Sequence, residues 1–221
     1  MAIINEIKEF ALDLVFPEKC VFCGRLTDKT CGGICDSCAR SVTPLEGGIV
    51  KTDGSFFKYC VSSYEYCGAV RESILRYKFG GHSSYARTFG RVLAQTIERY
   101  VDLPCDIITY VPVSRKRLNK RGYDQAQLLA KYAAQYLDRQ CVCVLKKVKN
   151  NPAQSGIDSA ERRRANVMDM YSVCGRELIK GKRILLIDDI ITSGATLSEC
   201  ARELLMAGAD SVICAALAKR V

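Results

Sequence analysis

The chain has 221 residues, a formal net charge of +9, one His, no Trp and 13 Cys. That length fits one large α/β domain, or a domain of about 150–180 residues with a small appendage, and 48% hydrophobic with 26% charged residues excludes disorder as the main state. The lone imidazole, His82 in Gly80-Gly81-His82-Ser83, reads as a solvated turn residue, which excludes multi-histidine metal sites and leaves little for an imidazole-based triad.

From the N-terminus, Ile3, Ile7, Phe10 and Leu14 recur at helical spacing up to Pro17, which predicts an amphipathic helix. Glu6, Lys8 and Glu9 break its apolar residues, so the segment lacks the core of a signal peptide. Nowhere do 18 apolar residues run together, so no membrane span is expected. An odd number of cysteines without the spacing of a disulfide-stapled module points to a reducing, cytoplasmic setting.

The next feature is Cys20-Val-Phe-Cys23, eleven residues, then Cys35-Asp-Ser-Cys38. Two such knuckles can place four thiolates tetrahedrally around Zn²⁺, with no open position left for catalysis, so a structural site is expected. Gly24 and Gly32-Gly33 supply the backbone freedom the turns need. Cys31 offers a competing ligand to Cys35, and a redox Cys-x-x-Cys pair is the other reading. The remaining eight cysteines sit among Val, Ile and Leu and are expected to be mostly core residues.

Composition shifts near residue 45, which predicts a small unit over 1–45 and a larger one over 46–221. Residues 56–66 read as a strand, Val70 to Phe79 and 84–101 as helices, Asp106 to Val111 as a buried strand, Asp124 to Leu137 as a helix, and Cys141 to Leu145 as a strand. Strands at 183–187 and 211–217 complete an alternation that argues for an α/β fold with a parallel sheet and helices on both faces. Ligands of such sheets bind at the carboxyl ends of the strands.

Residues 105–170 carry 13 basic and 6 acidic side chains, which is most of the excess charge. Arg115 to Arg121 and Arg162 to Arg164 flank strand ends and suit an anion, whereas Lys146 to Lys149 read as a solvated face.

The most informative stretch runs from Arg183 to Leu197. An apolar strand ends in Asp188-Asp189, then Thr192-Ser193-Gly194-Ala195-Thr196 opens an amphipathic helix to about Ala207. Small residues admit backbone N–H groups to an anion, hydroxyls add donors, and the helix dipole favours negative charge, which together make a monophosphate cradle. The two carboxylates are placed to accept hydrogen bonds from the vicinal hydroxyls of a sugar carrying that phosphate. Neither a Walker A loop nor a dinucleotide fingerprint occurs.

This arrangement closely resembles the phosphoribosyl pyrophosphate motif of type I phosphoribosyltransferases. With the paired knuckles, Tyr64 to Arg71, Leu75 to Lys78, Asp106 to Val113, Arg117 to Gln125, Gln154 and Arg162 to Asn166, the chain resembles the ComF family along essentially its whole length. Three positions depart from that family's pattern: Tyr123-Asp124-Gln125 stands for Phe-Asn-Gln, and Lys219 for Arg.

The resemblance implies a type I phosphoribosyltransferase-like parallel sheet flanked by helices, with an N-terminal zinc ribbon. It implies that Asp188 and Asp189 contact ribose, that Thr192, Ser193, Gly194, Ala195 and Thr196 hold the 5′-phosphate, and that a loop with Ser114, Arg115, Arg117 and Arg121 meets Mg²⁺-bound pyrophosphate. Its implied setting is natural competence, with single-stranded DNA and a helicase-like competence protein as partners. An active transferase with an unidentified acceptor is the alternative. For a DNA-binding role, Tyr110, Tyr123, Tyr132 and Tyr136 are candidate stacking partners among the basic residues.

Overall fold

The computed structural model describes residues 18–27, 31–50, 54–102, 104–149 and 168–220. The expected N-terminal helix, Gln154 and the segment from Arg162 to Asn166 lie outside the described residues.

Five strands form one sheet in the order β1-β2-β7-β6-β3, from Ile49–Val50 (β1), Cys60–Glu65 (β2), Ile107–Tyr110 (β3), Arg183–Ile191 (β6) and Ser211–Lys219 (β7). All neighbours are parallel except the short edge strand β1, which runs antiparallel to β2. Leu145–Lys147 (β4) and Tyr171–Val173 (β5) make a separate antiparallel ribbon.

Strand parity divides the interior into two cores. Leu185, Ile187, Ile213, Ala215 and Leu217 face one side of the sheet, against Gly68–Phe79 (α2), Tyr85–Tyr100 (α3) and Gln125–Tyr136 (α5). Ile184, Leu186, Val212, Cys214 and Ala216 face the other, against Ala195–Met206 (α7), the short helix Arg176–Ile179 (α6) and the β4–β5 ribbon. Buried on both faces, β6 and β7 carry near-continuous apolar runs, as parallel central strands do.

Two expectations are corrected. Cys141 to Leu145 is not a strand: Cys141 makes an isolated bridge to Ile108, and β4 begins only at Leu145. The segment leaves the edge of β3 through the Val142 N–H on the Ile108 carbonyl and joins β5 through the Val144 carbonyl, which accepts from Cys174. Its hydrogen bonds are thus split between two partners. Of the eight other cysteines, Cys60, Cys200 and Cys214 are buried and Cys105 and Cys141 pack partly buried against the core, in line with the expectation that most are core residues, while Cys67 and Cys143 are exposed. The strand at 183–187 runs on through Asp188, Asp189 and Ile191.

Helices α3 and α5 meet at Gly90, where an added Cβ would lie 2.4 Å from the Tyr132 Cβ and 3.0 Å from the Ala133 nitrogen. Neither neighbour is the free end of a side chain, so the helices would have to separate. Gly90→Ala is expected to cost about 1–3 kcal/mol, the range for overpacking a filled interior, measurable as a lower urea midpoint at unchanged slope.

Candidate ligand site and zinc ribbon

The metal cluster is assembled by a turn and a short helix. Cys20 and Cys23 flank a turn closed by the Gly24 N–H on the Cys20 carbonyl, 2.8 Å, with Gly24 at φ +74°. Cys35 caps Asp36–Ser41 (α1), which carries Cys38 on its first turn. The four Sγ atoms lie within 4.8 Å of one another, and Cys23 and Cys35 are 3.7 Å apart. Zn–S bonds of about 2.3 Å in a tetrahedron require sulfurs about 3.8 Å apart, so the donor set fits zinc. Cys31 stands outside the group, and Cys35 fills the position the spacing left open.

The first knuckle is built into the main body. Val21 and Phe22 are buried in the α2–α3–α5 core, and Phe22 packs edge-on against Tyr64 at 5.6 Å. From α2, the Ser73 hydroxyl donates to the Val21 carbonyl, and the Arg76 guanidinium donates to the carbonyls of Val21 (3.1 Å) and Phe22 (2.6 Å). From α3, Arg91 donates to the Gly32 carbonyl, 2.7 Å.

The second site forms where β3 and β6 end. Their parallel register sets Tyr110 opposite Ile187, and the Val111 N–H donates to the Ile187 carbonyl, 2.9 Å. The chain leaving β3 is thereby delivered beside Asp188. The expected loop is corrected here: Arg115–Arg121 forms a two-turn helix, α4. Ser114 caps it by accepting from the Arg117 N–H at 3.4 Å, and Gly122, at φ +80°, ends it. None of its residues is buried, and of its cations Arg121 stands within electrostatic reach of Asp189 and Arg117 within reach of Lys147.

Asp124 ties this helix in place. Its two oxygens accept from the Val113 N–H (2.8 Å) and the Gln127 N–H (3.1 Å), which caps α5. An amide offers one acceptor oxygen where a carboxylate offers two, so the departure from Asn gives the loop and the helix one shared anchor. Tyr123, in place of Phe, donates its hydroxyl to the Tyr77 carbonyl.

Adjacent strand residues face opposite sides, and Asp188 and Asp189 do so. Asp189 points toward α2, where the Lys78 ammonium meets its Oδ1 at 2.8 Å. Arg121 lies on the same side, stacked 4.7 Å over Phe79 and bonded to the Gln125 Oε1 at 2.6 Å. Burial lowers its pKa and the Asp189 charge partly restores it. Asp188 faces Cys60, Cys200 and Tyr171, and its Oδ1 accepts from the Asp189 N–H at 2.8 Å. Burial, with the neighbouring Asp189 charge, pushes the Asp188 carboxyl up to about 8.

Beyond the strand, Gly194 at φ +75° opens α7, whose N-terminus has no side-chain cap. Gly194 and Ala195 are buried, Ser193 and Thr196 half-buried, and Thr192 exposed.

Lys147 departs from the solvated face expected of the Lys146 to Lys149 run. It is half-buried, its ammonium 3.1 Å from the Tyr171 hydroxyl and 5.0 Å above the same ring. Burial lowers its pKa, Arg117 adds to that, and Asp188 opposes it. Lys147 and Lys78 therefore both belong to the neighbourhood of the carboxylate pair; the sequence signal for Lys78 is its place in the Leu75 to Lys78 motif, and Lys147 carries none. Of the four tyrosines, Tyr110 is buried and Tyr123 is tied to Tyr77, while Tyr132 and Tyr136 lie toward the far end of α5 from Asp124. None of these presents a free ring beside the carboxylates. Among the described residues, no helix is long and apolar enough to cross a membrane.

Sheet, strand-end site and cysteine cluster define a phosphoribosyltransferase-type domain joined to a zinc ribbon. Two family profiles agree: Phosphoribosyl transferase domain matches residues 124–221 and Double zinc ribbon domain matches residues 11–71. The chain is 30% identical over 211 residues to competence protein ComFC of Bacillus subtilis, covering 90% of this chain and 83% of that one. It is 26% identical over 220 residues to competence protein F of Haemophilus influenzae (89% and 95% covered), and 27% over 224 residues to DNA utilization protein YhgH of Salmonella typhi (90% and 96%). The chain belongs to the ComF family.

Proposed function

We propose that this protein binds phosphoribosyl pyrophosphate, or a related 5-phosphosugar, at the carboxyl end of β6 and serves single-stranded DNA handling during DNA uptake. The observation that carries the reading is the convergence on one strand end of three features: the Asp188–Asp189 pair, the uncapped N-terminus of α7, and the basic helix α4.

In this reading the N–H groups of Gly194 to Thr196 and the hydroxyls of Thr192, Ser193 and Thr196 hold the 5′-phosphate. The carboxylates orient the ribose diol. Ser114, Arg115, Arg117 and Arg121 meet the pyrophosphate, accompanied by Mg²⁺ as its counter-ion. The unit over 46–221 carries this chemistry and the unit over 1–45 the metal. The relatives' names, competence protein and DNA utilization protein, support the DNA setting.

The transferase-domain match favours a second reading, displacement of pyrophosphate from the anomeric carbon by an acceptor base. There the protein's work is positioning and charge neutralisation.

A thermal-shift series with Mg²⁺ and phosphoribosyl pyrophosphate, ribose 5-phosphate, nucleotides or short single strands separates these. Ligands that bind only the native state stabilise it by mass action, by about 2.7 kcal/mol at a hundredfold excess over Kd, and so raise the midpoint. Phosphoribosyl pyrophosphate and ribose 5-phosphate are expected to shift it; no shift with either refutes the sugar-phosphate reading. Pyrophosphate release with a panel of bases marks turnover, whereas salt-sensitive strand binding without release marks a binding module.

A further inference from the structure

Two carboxylates on consecutive residues of a parallel strand are like charges in a poorly solvated place, and they are not equivalent. Asp189 has a cation at 2.8 Å, with Lys78 and Asp189 side chains only 16% and 13% exposed. Among the described residues Asp188 has no cation within ion-pair distance, and its Oδ1 accepts from the Asp189 N–H. The asymmetry comes from α2, which ends over the strand so that Lys78 reaches one face of β6 and not the other.

We propose that Lys78 is a positioning residue of the sugar site: by pairing with Asp189 it assigns the pair's single negative charge to Asp189 and leaves the proton on Asp188. The pair then presents an acceptor on one side and a hydrogen-bond donor on the other, which matches two vicinal hydroxyls that each donate and accept. This rests on the reading of the site as a ribose phosphate site.

The surroundings agree with such a division. On the Asp189 side stand Lys78 and Tyr77 from α2, Arg121 from α4, and Asp124 at the start of α5. On the Asp188 side stand Cys60 from β2, Cys214 from β7, Cys200 from α7 and Tyr171 from β5, all thiols or phenols that burial keeps protonated. Lys147 and Arg117 are the cations there, and neither pairs with Asp188. Burial next to the Asp189 charge raises the Asp188 carboxyl to about 8, and Lys78 opposes that rise. Geometry and burial thus both favour the charge on Asp189, beside Lys78, and the proton on Asp188.

Removing the ammonium takes from the pair the cation that stabilises its negative charge at 2.8 Å, so protons compete with the ligand from a higher pH downward. The test is the affinity for ribose 5-phosphate, by calorimetry, across about pH 5.5 to 9, for the parent, Lys78→Gln and Lys78→Arg. The ligand's phosphate titrates near pH 6 in every case, so the ratio of variant to parent isolates the protein. Lys78→Gln is expected to bind about tenfold more weakly at pH 5.5, equivalent to one unit of competing protonation, with the deficit closing as pH approaches 9. Lys78→Arg is expected to follow the parent. A Lys78→Gln deficit that stays constant with pH, or no deficit, overturns the proposal while leaving the sugar-phosphate reading standing. A parent that binds no ribose 5-phosphate at any pH overturns both.

Should Lys78→Gln not fold, the parent decides alone through carboxyl ¹³C titration of aspartate-labelled protein. One carboxyl of the pair titrating near 8 and its neighbour remaining ionised throughout the neutral range supports the assignment. Both titrating as ordinary carboxylates overturns it.

Discussion

Asp189→Asn is expected to damage folding and binding together, whereas Asp188→Asn spares the fold and becomes stabilising in alkali. The amide at 189 strands the Lys78 ammonium, which is 16% exposed and bonded to Asp189 at 2.8 Å. Leaving one member of a buried ion pair costs about 3 kcal/mol, which for a chain of this size lowers Tm by roughly 6–12 °C. Loss of a charged acceptor should also weaken ribose 5-phosphate binding by about 10- to 100-fold, the worth of a hydrogen bond to an ionised group.

At position 188 the sign reverses. The folded carboxyl titrates at about 8 against 3.8 for the ordinary value, so between these limits the native state holds a proton that the unfolded chain has released. The contribution of this group to stability is therefore full at and below the lower value, falls as pH rises through the window, and is lost above the upper one. An amide does not ionise and escapes that loss. Asp188→Asn should exceed the parent's stability at pH 8 relative to pH 5 by at least about 1.4 kcal/mol, the equivalent of one unit of pKa. Urea unfolding at the two pH values measures it, and equal pH dependence of parent and variant refutes it.

Zinc removal is expected to have the other large effect, and it should reach beyond the ribbon. The carbonyls of Val21 and Phe22 lie between the two ligands of the first knuckle and accept from Ser73 and Arg76. Without the metal, four thiols lose the bonds that close the turn, and Val21 and Phe22 lose the constraint that holds them in the core. Structural zinc contributes about 10–16 kcal/mol of binding free energy in isolated fingers. Here part of that is offset by packing that survives, and a fall of roughly 3–5 kcal/mol corresponds to about 6–20 °C in Tm. Chelation at neutral pH, or Cys20→Ser, should give that shift, with Tm restored to the chelated chain by added Zn²⁺. Tm unchanged after verified metal loss would remove the ribbon from the folding energetics. Because Ser73, Arg76 and Lys78 share α2, the same treatment should weaken sugar-phosphate binding as well.

Much of this is legible in the residues. The Arg183 to Leu197 segment carries its own instructions: an apolar run long enough for a buried strand, two carboxylates, a Gly that accepts φ +75°, and a helix start. The paired knuckles are equally local, since ligand spacing within each is set by one turn. The basic run from Arg115 to Arg121 is visible as charge but not as a helix. Its helicity depends on the Ser114 cap, on Gly122 in the left-handed region, and on Asp124 bonding back to Val113, contacts that ordinary helix periodicity does not reveal in a segment with no buried face. Lys147 looks like its neighbours because a lysine's surroundings leave no mark on its sequence.

By itself, then, the sequence determined which segments could bind an anion and a metal, because those chemistries are written in short-range spacing and in side-chain type. Tertiary structure alone decided which carboxylate pairs with Lys78, which lysine leaves solvent, and which cysteine completes the cluster. Each of these depends on where separate elements end in space: α2 over one face of β6, the β4–β5 ribbon over the other, and α1 against the first knuckle. The net charge of +9 is a sum, and only the fold divides it between a solvated surface and two opposed faces of one strand.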